Sequence, residues 1–95
     1  MSIELIKERV YPIAEKYGVN KVFLFGSRAV GSQTEDSDYD FLISKGKVNS
    51  VLKYMAFVNE LEEVFGTHVD VVTDTSEDNE FLNKILGGSI LIYER

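Results

Sequence analysis

The chain has no cysteine and no tryptophan, a single proline, a single histidine, and fewer bases than acids. Without cysteine there is no disulfide framework and no thiolate metal site. One histidine cannot build a zinc cluster of the usual nitrogen and sulfur donors. Ten bases against sixteen acids leave a net charge of −6 over 95 residues. That balance speaks against stable binding to a polyanion, because contacts to phosphate dominate nucleic-acid affinity. No apolar run approaches the roughly 20 residues of a membrane span. The N-terminal MSIELIKERVY meets charge at Glu4, unlike a signal peptide. The expected location is therefore the cytoplasm.

What is present fits a small folded protein. Apolar residues make up 44% and charged residues 27%, the usual range for one soluble domain, expected over residues 1–95. Ile3, Ile6, Val10, Ile13 and Tyr17 recur at three- and four-residue spacing, predicting a helix over 3–17 that ends at Gly18. Pro12 falls inside it and predicts a kink or break. NKVFLF (20–25) reads as a strand, 26–37 as a loop with one helical turn after Ser27, and DYDFLIS (38–44) as a second strand. Residues 49–65 predict a helix capped by Asn49 or Ser50, with Val51, Tyr54, Met55, Val58, Leu61 and Phe65 on its buried face. THVDVVTD (67–74) reads as a third strand, EDNEFLNKIL (77–86) as a short helix broken by Gly87 and Gly88, and SILIYE (89–94) as a last extended piece. The order predicts an α+β fold, a mixed β-sheet with helices packed on one face.

Two features break the apolar strands. Asp38 and Asp40 stand two apart at the start of the second strand, so they project to one face while Tyr39, Phe41 and Ile43 enter the core. Asp70 interrupts the third strand and can reach the same face. An acid pair at a strand start is by itself ordinary on a solvated edge. Three convergent carboxylates describe a site for a hard cation, Mg²⁺ or Mn²⁺. Just before them, Gly26 and Ser27 form a turn after a strand. Glycine there lets backbone approach a ligand, a helical turn offers N–H groups to phosphate, and Arg28 adds positive charge or pairs with an acid. No P-loop and no dinucleotide fingerprint is present. His68 shares the face of Asp70 and reads as an exposed strand-end residue or a ligand. Tyr11, Tyr17, Tyr54 and Tyr93 read as core, and Glu60, Glu62 and Glu63 as a solvated helix face. The terminal ILIYER is open to three readings: inner strand, edge strand or partner contact.

FGSRAVGSQTEDSDYDFLI, followed by VDVV at 69–72, resembles the signature of the DNA polymerase beta-type nucleotidyltransferase superfamily. The small size and the Gly-Ser-Arg-Ala turn make the chain most similar to the minimal nucleotidyltransferases that act as antitoxins beside HEPN-domain toxins. The family commonly carries arginine where this chain has Val30. The resemblance implies that Gly26, Ser27 and Arg28 hold the phosphates of ATP, and that Asp38, Asp40 and Asp70 are the catalytic acids and bind two Mg²⁺ ions. It further implies AMP transfer to a hydroxyl, a tyrosine of the partner HEPN toxin, within a toxin–antitoxin hetero-oligomer. Two other readings are carried alongside: the same chemistry on a small-molecule or RNA acceptor, and a non-catalytic antitoxin that neutralises its toxin by binding.

Overall fold

Ser2 opens the first helix, its Oγ accepting the Leu5 N–H at 3.2 Å, and Gly18 closes it in the left-handed conformation at φ 73°. The computed structural model describes residues 2–31, 38–74 and 79–95. Its elements run α1 (Ile3–Tyr17), β1 (Lys21–Phe25), α2 (Ser27–Val30), β2 (Tyr39–Ser44), α3 (Val51–Phe65), β3 (Val69–Thr73), α4 (Asn79–Gly87) and β4 (Ile90–Glu94). This is the order expected from the sequence. The loop expected after α2 lies largely outside the described residues.

Of the kink or break expected at Pro12, the break does not occur: α1 runs through it. Pro12 sits on the exposed side, as does Glu8, whose carbonyl loses its partner when residue 12 has no N–H. Water can replace that bond, while Ile6, Val10, Ile13 and Ala14 keep the opposite side of the helix buried.

The sheet order is β3-β2-β1-β4, with β2 and β3 parallel and the other neighbours antiparallel. β4 is therefore an edge strand. The β1–β4 register shifts between Val22 and Phe23, where the pairing jumps from Tyr93 to Leu91. The extra residue, Ile92, lets successive side chains Ile92 and Tyr93 both enter the core. Val22 and Leu24 of β1, Tyr39, Phe41 and Ile43 of β2, and Val69 of β3 join the same core with α1 and α3. Residue alternation in the strands thus sets which side chains enter this core, while Leu42 is buried on the opposite side of β2.

The buried side of α3 differs from the predicted stripe. Phe57 and Leu61 are fully buried, whereas Val51 and Met55 are 73% and 55% exposed. The first half of α3 is apolar almost all round. Its periodicity therefore admits two overlapping stripes, and packing selects the one containing the large ring of Phe57. Ser50 makes the cap, its Oγ accepting the Lys53 N–H at 3.2 Å.

The tyrosines divide. Tyr93 is buried and donates to Glu15 Oε1 at 2.6 Å, and Tyr54 donates to the Val71 carbonyl at 2.8 Å. Half-buried Tyr17 donates to Glu60. Tyr11 is not core: it is 58% exposed and meets Tyr93 edge-on. Nor are all the acids of α3 merely solvated. Glu60 also pairs with Lys16 at 3.1 Å and ties α3 to α1, while Glu62 accepts the Val69 N–H at 3.2 Å and ties α3 to β3. The short α4 buries Ile85 and brings it with Val30 around a shallow pocket beside Phe25 and Gly26. Among the described residues, no helix is long and apolar enough to cross a membrane.

Candidate active site

The site grows from one line across the sheet. Phe25, the last residue of β1, pairs with Asp40 of β2, and Asp40 pairs in turn with Asp70 of β3. The end of β1 therefore delivers the Gly26 turn to the same place where two strands deliver carboxylates. Gly26 has φ 79° and ψ −156°, a backbone region open essentially to glycine alone. A Cβ added there would also run into the Asp40 carboxylate. Glycine is thus required both for the sharp exit from the strand and for room beside the acid. From this corner α2 starts: the Gly26 carbonyl accepts the N–H groups of Ala29 at 3.1 Å and Val30 at 3.3 Å. Ser27 is the first residue of that turn.

Asp38 lies just ahead of β2 and is exposed, Asp40 is half-buried, and Asp70 is exposed on β3. Their neighbours record how crowded the charge is. Partial burial first, then the carboxylates of Asp70 and Asp38, push the Asp40 carboxyl above the usual carboxylate range. Tyr39, between the two acids, is buried as expected and packs against Phe41 and Phe65. The Arg28 guanidinium lies 3.9 Å from the centre of the Tyr39 ring, so α2 is anchored to the first residue of β2.

His68 is more involved than a strand-end residue. Its Nε2 lies 2.8 Å from Asp70 Oδ1 and its Nδ1 lies 3.0 Å from Glu62 Oε2. The hydrogen bond to Asp70, helped by Glu62 and by the charge of Asp38, raises the affinity of the ring for a proton. Asp38, His68 and Asp70 each offer one ligand atom within 4.8 Å of the others. Oxygen and imidazole donors in one cluster suit a divalent cation. The structure therefore brings Gly26 to Asp40, Asp40 to Asp70, and Asp38 to Asp70 and His68. Glu62 was missed as a neighbour of this group, because nothing in a helix sequence says which strand end its exposed acids will meet.

The site is thus a glycine turn at the end of one strand set against acids on two parallel neighbours. The family model described as "Polymerase beta, Nucleotidyltransferase" matches residues 8–95, and the chain belongs to that family of nucleotidyltransferases. A candidate protein adenylyltransferase of Methanocaldococcus jannaschii is 39% identical over 90 residues, which cover 95% of this chain and 97% of that protein. Among solved structures, a candidate minimal nucleotidyltransferase superposes with a TM-score of 0.80 at 28% identity, covering 95% of each chain. The fold is also shared by a chain from the complex of a tri-AMPylated HEPN toxin of Shewanella oneidensis with its MNT antitoxin. There the TM-score is 0.74 at 12% identity, with 99% of this chain and 74% of that chain covered.

Proposed function

We propose that this protein moves AMP from ATP to a tyrosine hydroxyl of a partner HEPN toxin and so acts as its antitoxin. The observation that carries the chemistry is the single register Phe25–Asp40–Asp70, which sets the Gly26 turn against two acids. A protein acceptor is supported by the relative named for adenylyl transfer to protein, and a HEPN toxin by the solved complex that contains an AMPylated one. The acidic surface, net −6, and the small size of the chain point the same way, since a partner surface can complete the site. In this reading residues 1–95 work as one domain in the cytoplasm.

Each residue has a role in the proposal. The backbone N–H groups of Gly26 and Ser27, with the Ser27 hydroxyl, hold the β- and γ-phosphates, and Arg28 supplies positive charge near them. Asp38, Asp40 and Asp70 are read as the ligands of a divalent cation: three carboxylates of one face otherwise repel each other, and partial burial, followed by the charges of Asp70 and Asp38, raises the Asp40 carboxyl. Bound Mg²⁺, two ions in the family pattern, would neutralise charge on the reacting phosphate oxygens. In this reading Asp70 accepts the proton of the attacking hydroxyl. The acceptor oxygen bonds to the α-phosphorus, the bond to the bridging oxygen breaks, and pyrophosphate leaves. Catalysis here is positioning and charge stabilisation.

Incubating the protein with α-labelled ATP, Mg²⁺ and the product of the neighbouring gene, expected to be a HEPN toxin, tests the reading. Label on a toxin tyrosine, lost with Asp38→Ala, supports it. Label found only on RNA or a small molecule would move the acceptor. Neutralisation without ATP, unchanged in Asp38→Ala, would overturn catalysis in favour of binding.

A further inference from the structure

We infer that Lys84 is a phosphate-binding residue of this site, its ammonium pairing with the terminal phosphate of the nucleotide and staying with pyrophosphate as it leaves. The inference rests on the nucleotidyltransferase reading in one respect, that a nucleoside triphosphate lies over the Gly26 turn. The rest comes from where the fold puts its bases.

A triphosphate adds several negative charges to a corner that already holds Asp38, Asp40 and Asp70. Positive charge has to come from the protein as well as from any cation. Most of the ten bases stand elsewhere. Lys21 opens β1 and pairs across the sheet with Ser44 and Glu94, so Lys21, Lys45, Lys47 and Arg95 lie at the end of the sheet away from the acids. Arg9 donates to the Val64 carbonyl and Lys16 pairs with Glu60, both on α3. Lys7 and Lys53 belong to α1 and α3, which close the dry side of β2. Arg28 stands at the turn, but its guanidinium lies over the Tyr39 ring.

The topology brings Lys84 to the same place. β4 pairs antiparallel with β1, Leu24 opposite Ile90. The end of α4, just ahead of β4, is therefore delivered beside the end of β1, where the Gly26 turn begins. Ile85 is buried and anchors it, and Gly88 passes Val30 so closely that a Cβ there would lie 3.7 Å from Val30 Cγ1. Phe25, Gly26, Val30, Lys84, Ile85 and Gly88 line one pocket of about 330 Å³, and Lys84 is the charged residue among them. Apolar walls strengthen the attraction of an ammonium for phosphate. Phe25 pairs with Asp40, so the pocket and the acid share a side of the sheet. In the strand order β3-β2-β1-β4, the acids stand on one side of the turn and Lys84 on the other. A triphosphate with its α-phosphorus at the acids and its chain over the turn ends toward Lys84. Among the described residues, the Lys84 side chain has no ion pair or hydrogen bond of its own. The alternative is that Lys84 serves only the last turn of α4, where a cation complements the helix dipole. Its loss would then change melting and leave nucleotide binding alone.

Affinities for ATP and for pyrophosphate, with Mg²⁺ present, are measured by calorimetry on the whole protein and on Lys84→Gln, Lys84→Met and Lys84→Arg. Each fold is checked by its melting curve, and the exposed position of Lys84 makes the variants mild. Expected is a loss of about tenfold for both ligands in Lys84→Gln and Lys84→Met, and of less than about threefold in Lys84→Arg. Lys84→Met keeps the apolar stem without the charge, so wild-type affinity in that variant would make the residue a pocket wall and overturn the assignment. An unchanged Lys84→Gln would overturn it too, as would a Lys84→Arg that loses as much as Lys84→Gln. AMP transfer by Lys84→Gln at the wild-type rate under limiting ATP would bring down this inference alone. Affinities that depend on the Lys84 charge, in a protein that transfers no AMP, would leave it standing and bring down the functional reading instead.

Discussion

Along β2 the two faces of one strand have opposite tasks. Tyr39, Phe41 and Ile43 point into a dry layer closed by α1 and α3, each at most 4% exposed. Asp40, between them, points the other way and meets Asp70 on β3 and the turn at Gly26. The dry face gains from every apolar contact and excludes water. Asp40 has no such gain, although Leu42 two residues on is buried on the same side: burial and like charge raise the Asp40 carboxyl, so the fold itself resists its ionisation. Tyr39, Phe41 and Ile43 are arranged for stability and Asp40 at the expense of it, as expected where charge is held ready for a ligand. Alternation at a period of two lets both exist within a few ångströms.

Substitutions can test that division, beginning with the largest effect. Asp40→Ala should lower AMP transfer about a thousandfold or more while leaving the far-ultraviolet circular dichroism unchanged. A purified variant that transfers at the wild-type rate would remove Asp40 from the chemistry. On the dry side, Phe57→Ala should cost about 3–5 kcal/mol in urea unfolding with the active-site residues untouched. Met55→Ala, on the exposed flank of the same helix, should stay within about 0.5 kcal/mol. If the two variants unfolded alike, the described face of α3 would be wrong.

Gly26→Ala lies at the boundary of the two regions and should damage both. A residue with a Cβ in that backbone region costs about 1–3 kcal/mol, and the contact with the Asp40 carboxylate should slow transfer as well. Retained transfer at full rate would mean that the turn has more room than its geometry allows.

The smallest effect concerns stability against pH without metal. Because the folded protein holds the Asp40 carboxyl above its ordinary value of 3.8, the protonated acid favours the fold. That contribution is complete below the ordinary value and is lost as pH rises through the raised one. At neutral pH, Asp40→Asn should therefore melt slightly higher than the wild type, and a divalent cation should narrow the gap by stabilising only the wild type. A lower melting temperature for Asp40→Asn in the absence of metal would contradict the strain assigned to the charged face.

Much of this was legible in advance because the signals were local. The stripe of α1 and its end at Gly18, the cap at Ser50, and the alternation of DYDFLIS depend on neighbours along the chain. Pro12 misled, since its cost depends on whether the freed carbonyl faces water or the core. Tyr11 and Met55 misled for a related reason: an apolar residue on a helix has no address until the helix has a partner. The link from Glu62 to His68 was invisible, because six residues and a turn separate them in sequence and only the docking of α3 on β3 joins them.

The sequence by itself determined the elements, the acids that interrupt two strands, and the glycine that precedes them, since each follows from periodicity, turn chemistry and residue type. Tertiary structure alone decided that Phe25, Asp40 and Asp70 share one register and that His68 stands between Glu62 and Asp70. Those relations depend on strand pairing and helix docking across long stretches of chain, where the free energy is settled by burial and hydrogen bonding of the whole sheet and not by any local preference.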